Sequence, residues 1–228
     1  MKTVNDILQT AERLLFPHRC LFCRRFIPAG YLCEECRGDI DYPLKEISFD
    51  ADGRIIPAFV LSAGRYSGEY RKSVEIFKFR GAYRLADAFA GLMCEAFDSI
   101  YGEASDSCDL ITFVPMSGKS QRKRGYNQSE KLASSVSKLM NIPCRRLIEK
   151  TGTNLTQHSL DAEGRKLNVK GVYSAVSSAE TEGKRIILVD DIVTTGATLS
   201  ECMKVLYEAG AEKVYPVCAA EAVGNGSI

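Results

Sequence analysis

The chain has 228 residues, of which 45% are hydrophobic and 26% charged, the make-up of a folded globular protein rather than a disordered, collagenous or coiled-coil one. Thirty Lys and Arg against 29 Asp and Glu leave a net charge of +1, so no global field draws the chain to nucleic acid or anionic lipid. The length suits one sizeable domain with a small attachment.

Val4, Ile7, Leu8, Ala11, Leu14 and Leu15 recur at helical spacing and predict a short amphipathic helix that Pro17 ends. Asn5, Asp6, Gln9, Glu12 and Arg13 interrupt its apolar residues, whereas a secretory signal needs an unbroken core of about 7–15. No stretch approaches the roughly 20 apolar residues of a membrane span. The expectation is a cytoplasmic protein without membrane insertion, whose thiols bind metal or lie buried. Residues 18–39 hold four of the nine cysteines among turn-formers and predict a compact knuckle. Residues 40–57, with Asp52-Gly53 and two prolines, read as a connector. These features divide the chain into a helix-and-knuckle module, 1–45, and a larger domain, 46–228.

The larger domain opens with an apolar, partly alternating run from Ile55 to Tyr66 that predicts one or two strands. Helices are predicted over about 68–79 and 83–100. Strands then alternate with helices. Asp109 to Val114 reads as a strand, Asn127 to Met140 as a helix, and Cys144 to Glu149 as a short strand leading into a polar segment. The continuous apolar run Arg185 to Val189 suits a strand buried on both faces. A helix over Thr198 to Ala209, stopped by Gly210, leads to a last strand, Lys213 to Ala219. This order predicts an α/β fold with a mostly parallel sheet.

Cys20-Leu21-Phe22-Cys23 and Cys33-Glu34-Glu35-Cys36 form two CxxC pairs with nine residues between them. Two-residue spacing turns both thiolates of a pair toward one ion, and two pairs complete a tetrahedron around zinc. Four thiolates leave no open position, so Cys20, Cys23, Cys33 and Cys36 predict a structural metal. Arg19, Arg24, Arg25 and Arg37 surround them, as a solvated face or a nucleic-acid contact. Cys94, Cys108, Cys144, Cys202 and Cys218 sit among apolar neighbours and read as small core residues.

The most informative stretch is Ile186-Ile187-Leu188-Val189-Asp190-Asp191-Ile192-Val193-Thr194-Thr195-Gly196-Ala197-Thr198. A buried strand ends in two carboxylates, and a hydroxyl-rich loop with one glycine then opens a helix. Ligands in open α/β sheets sit beyond the carboxyl ends of strands, and a helix N-terminus offers free N–H groups to phosphate. Two adjacent acids suit a ribose cis-diol or a hydrated Mg²⁺. Upstream, Val114-Pro115-Met116-Ser117 follows a predicted strand, and Lys119, Arg122, Lys123 and Arg124 place four cations within six positions before a helix.

The stretch 186–198 resembles the 5-phosphoribosyl-1-pyrophosphate (PRPP) motif of type I phosphoribosyltransferases. Pro115 with Arg124-Gly125-Tyr126-Asn127-Gln128 narrows the resemblance to the ComF family, a competence-associated, phosphoribosyltransferase-like group with an N-terminal four-cysteine zinc knuckle. Lys78-Phe79-Arg80-Gly81 and Thr156-Gln157-His158-Ser159-Leu160, with Arg165 and Asn168, match that family too. The resemblance implies that Asp190 and Asp191 take the ribose hydroxyls and that Thr194, Thr195, Gly196, Ala197 and Thr198 cradle the 5-phosphate. By the same resemblance, Ser117, Lys119 and Lys123 face the pyrophosphate, Arg122, Arg124 and Mg²⁺ neutralise the leaving group, and Arg165 arrives on a lid. Thr194 stands where some purine-specific members carry a third acid, which leaves the acceptor and general base open. The implied function is transfer of a phosphoribosyl group with release of pyrophosphate. The alternative is a non-catalytic protein binding PRPP and single-stranded DNA in DNA uptake, with competence-machinery partners.

Overall fold

The computed structural model describes residues 18–51, 53–79, 84–102, 107–118, 121–122, 125–151 and 171–222. The predicted helix over Val4–Leu15 lies outside them, as do Arg80, Gly81 and the segment holding Thr156–Leu160, Arg165 and Asn168. Seven strands are described: β1 (Leu44–Ala51), β2 (Arg54–Ser62), β3 (Leu110–Phe113), β4 (Ile148–Lys150), β5 (Tyr173–Ala175), β6 (Arg185–Val193) and β7 (Lys213–Glu221). The helices are α1 (Glu34–Gly38), α2 (Gly68–Phe79), α3 (Arg84–Tyr101), α4 (Gln128–Met140), α5 (Ser178–Thr181) and α6 (Ala197–Glu208). No helix among the described residues is long and apolar enough to cross a membrane.

Five strands form one sheet in the order β1-β2-β7-β6-β3. β2, β7, β6 and β3 run parallel, and β1 joins the edge antiparallel to β2. The architecture is thus the predicted α/β class with a mostly parallel sheet. A separate antiparallel pair, β4 with β5, brackets residues 152–170 in the chain. Cys144 makes only a single bridge to Ile111, so the strand expected from there begins at Ile148 instead.

β6 explains its own sequence. Ile187 and Val189 face one core with Phe77, Phe89, Leu92, Leu132 and Val136, while Ile186 and Leu188 face a second with Ile47, Leu199 and Cys202. A central strand covered on both sides cannot alternate apolar with polar residues, which is why this run is continuous. Each such side chain removed from water contributes about 1.5–3 kcal/mol.

The expected connector over 40–57 is a correction. Its residues form β1, the turn at Gly53 and the start of β2. Ile47, Phe49 and Ala51 are buried and alternate with exposed Glu46, Ser48 and Asp50, a period-two signal. Gly53, at φ 75°, makes the turn, and its N–H donates to Asp50 Oδ1 at 3.0 Å. Pro57 is tolerated because β2 pairs with β7 only at Leu61 and Ser62, leaving Pro57 beside β1 alone.

The cysteine knuckle is docked on this body. Cys20, Leu21 and Leu32 are buried in the same core as α2 and α3. The Phe22 ring stacks on Tyr70 at 4.3 Å, and the Ser73 hydroxyl donates to Leu21 O at 2.7 Å. Tyr31 lies so close over α3 that a Cβ at Gly91 would stand 2.6 Å from its ring.

Candidate functional site: the carboxyl end of the sheet

β6 does not stop at its acids. β7 pairs alongside it from Asp190 opposite Cys218 to Val193 opposite Glu221, so both carboxylates project from ordered strand rather than from the loop beyond. Asp190 Oδ1 accepts from the Ser129 hydroxyl at 2.7 Å and from the Asp191 N–H at 2.8 Å. Asp191 Oδ1 accepts from the Ile192 N–H at 2.6 Å, and its Oδ2 lies 2.8 Å from the Lys78 ammonium. Burial first, and then the neighbouring Asp191 charge, push the Asp190 carboxyl up to about 7. One carboxylate is therefore paired with a cation, and the other sits near the midpoint of its titration at neutral pH.

The phosphate loop follows directly. Thr194 is exposed and Thr195 half-buried, and the Thr195 hydroxyl accepts from the Ala197 N–H at 3.4 Å. Gly196 caps α6 in the left-handed region at φ 82°. A Cβ there would meet Ile47 Cγ2 at 2.3 Å, so β1 lies directly against the loop. Both facts require glycine. The variant Gly196→Ala is expected to lose about 1–3 kcal/mol of stability, read as a lower melting temperature, and to weaken phosphate binding with it. A cleft of about 550 Å³ opens between β1 and the first turns of α6, with Thr195, Ala197 and Ser200 in its wall; its size suits a small ligand.

The third part is the connection from β3 to α4. Ser117 O accepts from the Gln121 N–H at 2.9 Å, and Gln121 O accepts from the Gly125 N–H at 2.7 Å, which rolls the loop into a short turn. Ser117 is half-buried and Arg122 exposed. Lys119, Lys123 and Arg124 lie outside the described residues. Tyr126, Asn127 and Gln128, met in the sequence as the tail of a basic string, act as a bracket. The Tyr126 hydroxyl donates to Phe77 O, Asn127 Nδ2 to Val114 O at 3.1 Å, and Gln128 Nε2 to Lys78 O at 3.2 Å. Asn127 also caps α4 by accepting from the Ser129 N–H at 3.1 Å. The end of α2, the end of β3 and the start of α4 are thereby tied together beside Asp190.

Sequence reasoning did not place Lys78 or Ser129 in the site. Lys78 was visible as a lysine in the last turn of a predicted helix, and Ser129 as the third residue of another. Neither position announces a contact with carboxylates more than 60 residues away in the chain.

In the knuckle, the ligand atoms of Cys20, Cys23, Cys33 and Cys36 lie within 4.8 Å of one another. Paired turns build the cluster: Arg24 N donates to Cys20 O at 3.0 Å and Arg37 N to Cys33 O at 3.0 Å. The Arg25 guanidinium donates to Cys23 Sγ at 3.4 Å and, against the opposing effect of burial, holds that thiol down at about 6. A closed set of four sulfur donors fits a soft or borderline metal ion. The surrounding arginines are largely engaged: Arg25 pairs with Glu35, Arg37 with Glu95 at 2.9 Å, and Arg24 donates to the Ser73 hydroxyl at 3.2 Å.

The chain is similar to several known proteins. Residues 122–223 match the phosphoribosyl transferase domain. Competence protein F of Haemophilus influenzae is 28% identical over 198 residues, 86% of either chain. Competence protein ComFC of Bacillus subtilis is 28% identical over 216 residues, 90% of this chain and 85% of that one. The DNA utilization protein YhgH of Escherichia coli O6:H1 is 34% identical over 113 residues, 48% of each.

Proposed function

We propose that this chain, similar to competence proteins F and ComFC and matching the phosphoribosyl transferase domain over residues 122–223, is a ComF-family protein that binds PRPP at the carboxyl end of β6 and transfers the phosphoribosyl group to a nitrogen acceptor. One observation carries this reading: two anchored carboxylates run without a break into a glycine-hinged threonine loop that opens a helix. Asp190 and Asp191 accept hydrogen bonds from the ribose diol. Thr194, Thr195, Gly196, Ala197 and Thr198 offer backbone N–H groups and hydroxyls to the 5-phosphate. Ser117 and Arg122 face the pyrophosphate; Lys119, Lys123, Arg124 and Arg165, which lie outside the described residues, are the further pyrophosphate contacts that the family resemblance implies.

Loss of pyrophosphate leaves an oxocarbenium-like sugar, as in glycoside hydrolysis. The protein contributes by fixing the sugar and concentrating cations where the leaving charge develops. Magnesium arriving with PRPP adds charge neutralisation, and hard carboxylate oxygens suit it. The test is pure protein incubated with PRPP, Mg²⁺ and a panel of nitrogen bases while pyrophosphate is assayed. Release that depends on one base identifies the acceptor, and no release with any base rejects transfer.

Asp190 must be ionised to accept its hydrogen bond from the diol at full strength. With its carboxyl raised to about 7, lowering the pH protonates it and weakens the site. PRPP affinity is expected to rise through neutral pH and level off above about 8. Asp190→Asn should flatten that rise, which calorimetry over the same pH series reads directly.

The knuckle, within an N-terminal module of residues 1–45 joined to the domain of 46–228, holds a structural zinc on this reading. The nine cysteines form no disulfide; a reducing cytoplasm is the compartment we infer from the four-thiolate knuckle. The relatives are named for competence and DNA utilization, which supports a role in DNA uptake. A second reading keeps PRPP binding without turnover and adds single-stranded DNA. Its supporting observation is Phe26, 62% exposed with Arg19 stacked 3.8 Å over its ring, a cation–aromatic platform of the kind bases stack on. Gel shifts at low salt, where phosphate contacts are strongest, should be lost in an Arg19→Ala/Phe26→Ala variant; no shift with the unaltered protein rejects it.

A further inference from the structure

We propose that Lys78 is a substrate-binding residue that exchanges Asp191 for the pyrophosphate of PRPP when the pocket fills; this rests on the pentose reading above.

The side chains of Lys78 and Asp191 are only 15% and 14% exposed. An ion pair so enclosed gains little net stability, because desolvation offsets most of the attraction. A fold that needed only packing here would be served as well by apolar residues. The chain instead holds this lysine in place by its backbone. Tyr126 grips Phe77 O and Gln128 grips Lys78 O, so the last turn of α2 is fixed from the start of α4 while the side chain reaches across to β6.

The chemistry of the pocket explains the arrangement. Asp191 Oδ1 already accepts from the Ile192 N–H, and on the pentose reading Oδ2 takes the sugar's 2-hydroxyl. Lys78 occupies that oxygen. In PRPP the pyrophosphate is carried on the carbon next to the one bearing the 2-hydroxyl. A cation bonded to the carboxylate that receives this hydroxyl therefore lies within a side chain's reach of the leaving-group oxygens. Lysine, a compact charge on a flexible four-carbon stem, is suited to change partners in this way. It keeps Asp191 compensated while the pocket is empty and supplies positive charge to the pyrophosphate when it is full.

Calorimetric titration with two probes, PRPP with Mg²⁺ and ribose 5-phosphate, tests the exchange, since only the first carries pyrophosphate. Lys78→Met is expected to weaken PRPP binding about ten-fold or more, the loss of a hydrogen bond to a charged group. Ribose 5-phosphate binding should hardly change, and Lys78→Arg should restore most of the PRPP affinity. Equal losses for both probes would mean that Lys78 only orients Asp191, and they overturn the proposal, as does an unchanged PRPP affinity. Lys78→Gln replaces the Met variant if the latter shows no cooperative melting transition. If the unaltered protein binds neither probe, the pentose reading fails and takes this inference with it. If it binds PRPP and Lys78→Met binds it equally well, the inference alone fails.

Discussion

Asp190→Asn combined with Asp191→Asn is expected to reduce PRPP affinity by at least about 100-fold, because each diol hydrogen bond to a carboxylate is worth about 1.5–3 kcal/mol. Asparagine keeps the size of the side chain, and its carbonyl oxygen can still accept from the Ser129 hydroxyl and the neighbouring N–H groups that hold the acids now. The loss therefore reports charge rather than shape. Asp191→Asn also strands the Lys78 ammonium in a largely enclosed position, and removing one partner of a buried pair costs about 3–5 kcal/mol. The double variant should accordingly melt earlier than Asp190→Asn alone while keeping a cooperative transition. PRPP binding retained at the original strength by a folded double variant would reject the pocket.

On the reading that the knuckle holds a structural zinc, removing the metal from it should have the largest effect on stability. Structural zinc bound by such sites carries about 10–16 kcal/mol of apparent binding energy that is also folding energy. Here the coupling extends beyond the knuckle, because Cys20 and Leu21 belong to the core of α2 and α3, and Phe22 and Tyr31 pack against Tyr70 and Gly91. Chelation, or Cys33→Ser with Cys36→Ser, is expected to lower the melting temperature by about 10 °C or more, each kcal/mol being worth about 2–4 °C at this chain length. Zinc added back should reverse the effect of the chelator and leave the serine variant unchanged. A chelated protein with an unaltered melting curve would mean that the four thiols pack without an ion.

Phe22 shows where sequence reading ran short in the knuckle. The CxxC spacing pointed to a metal cluster at once, since ligand geometry is set within four residues. Nothing in that spacing revealed that the ring between the two cysteines would stack on Tyr70, 48 positions further along. The arginines were misleading in the same way: as letters they make a cationic patch, and in space Glu35 and Glu95 neutralise two of them.

The string from Ile186 to Thr198 by itself determined the strand, the acids, the loop and the helix that carry the candidate site, because each depends on neighbours in the chain. The period-two pattern of Ile47, Phe49 and Ala51 was equally present in the letters, although two prolines and a glycine masked it as a connector. Tertiary structure alone decided what surrounds the acids. β7 extends β6 through both carboxylates, Ser129 reaches Asp190 from α4, and Lys78 reaches Asp191 from α2. Backbone periodicity records which residues face inward. It carries no information on which distant side chain meets a given carboxylate, since that pairing is fixed only when helices from separate parts of the chain pack on the same end of a sheet.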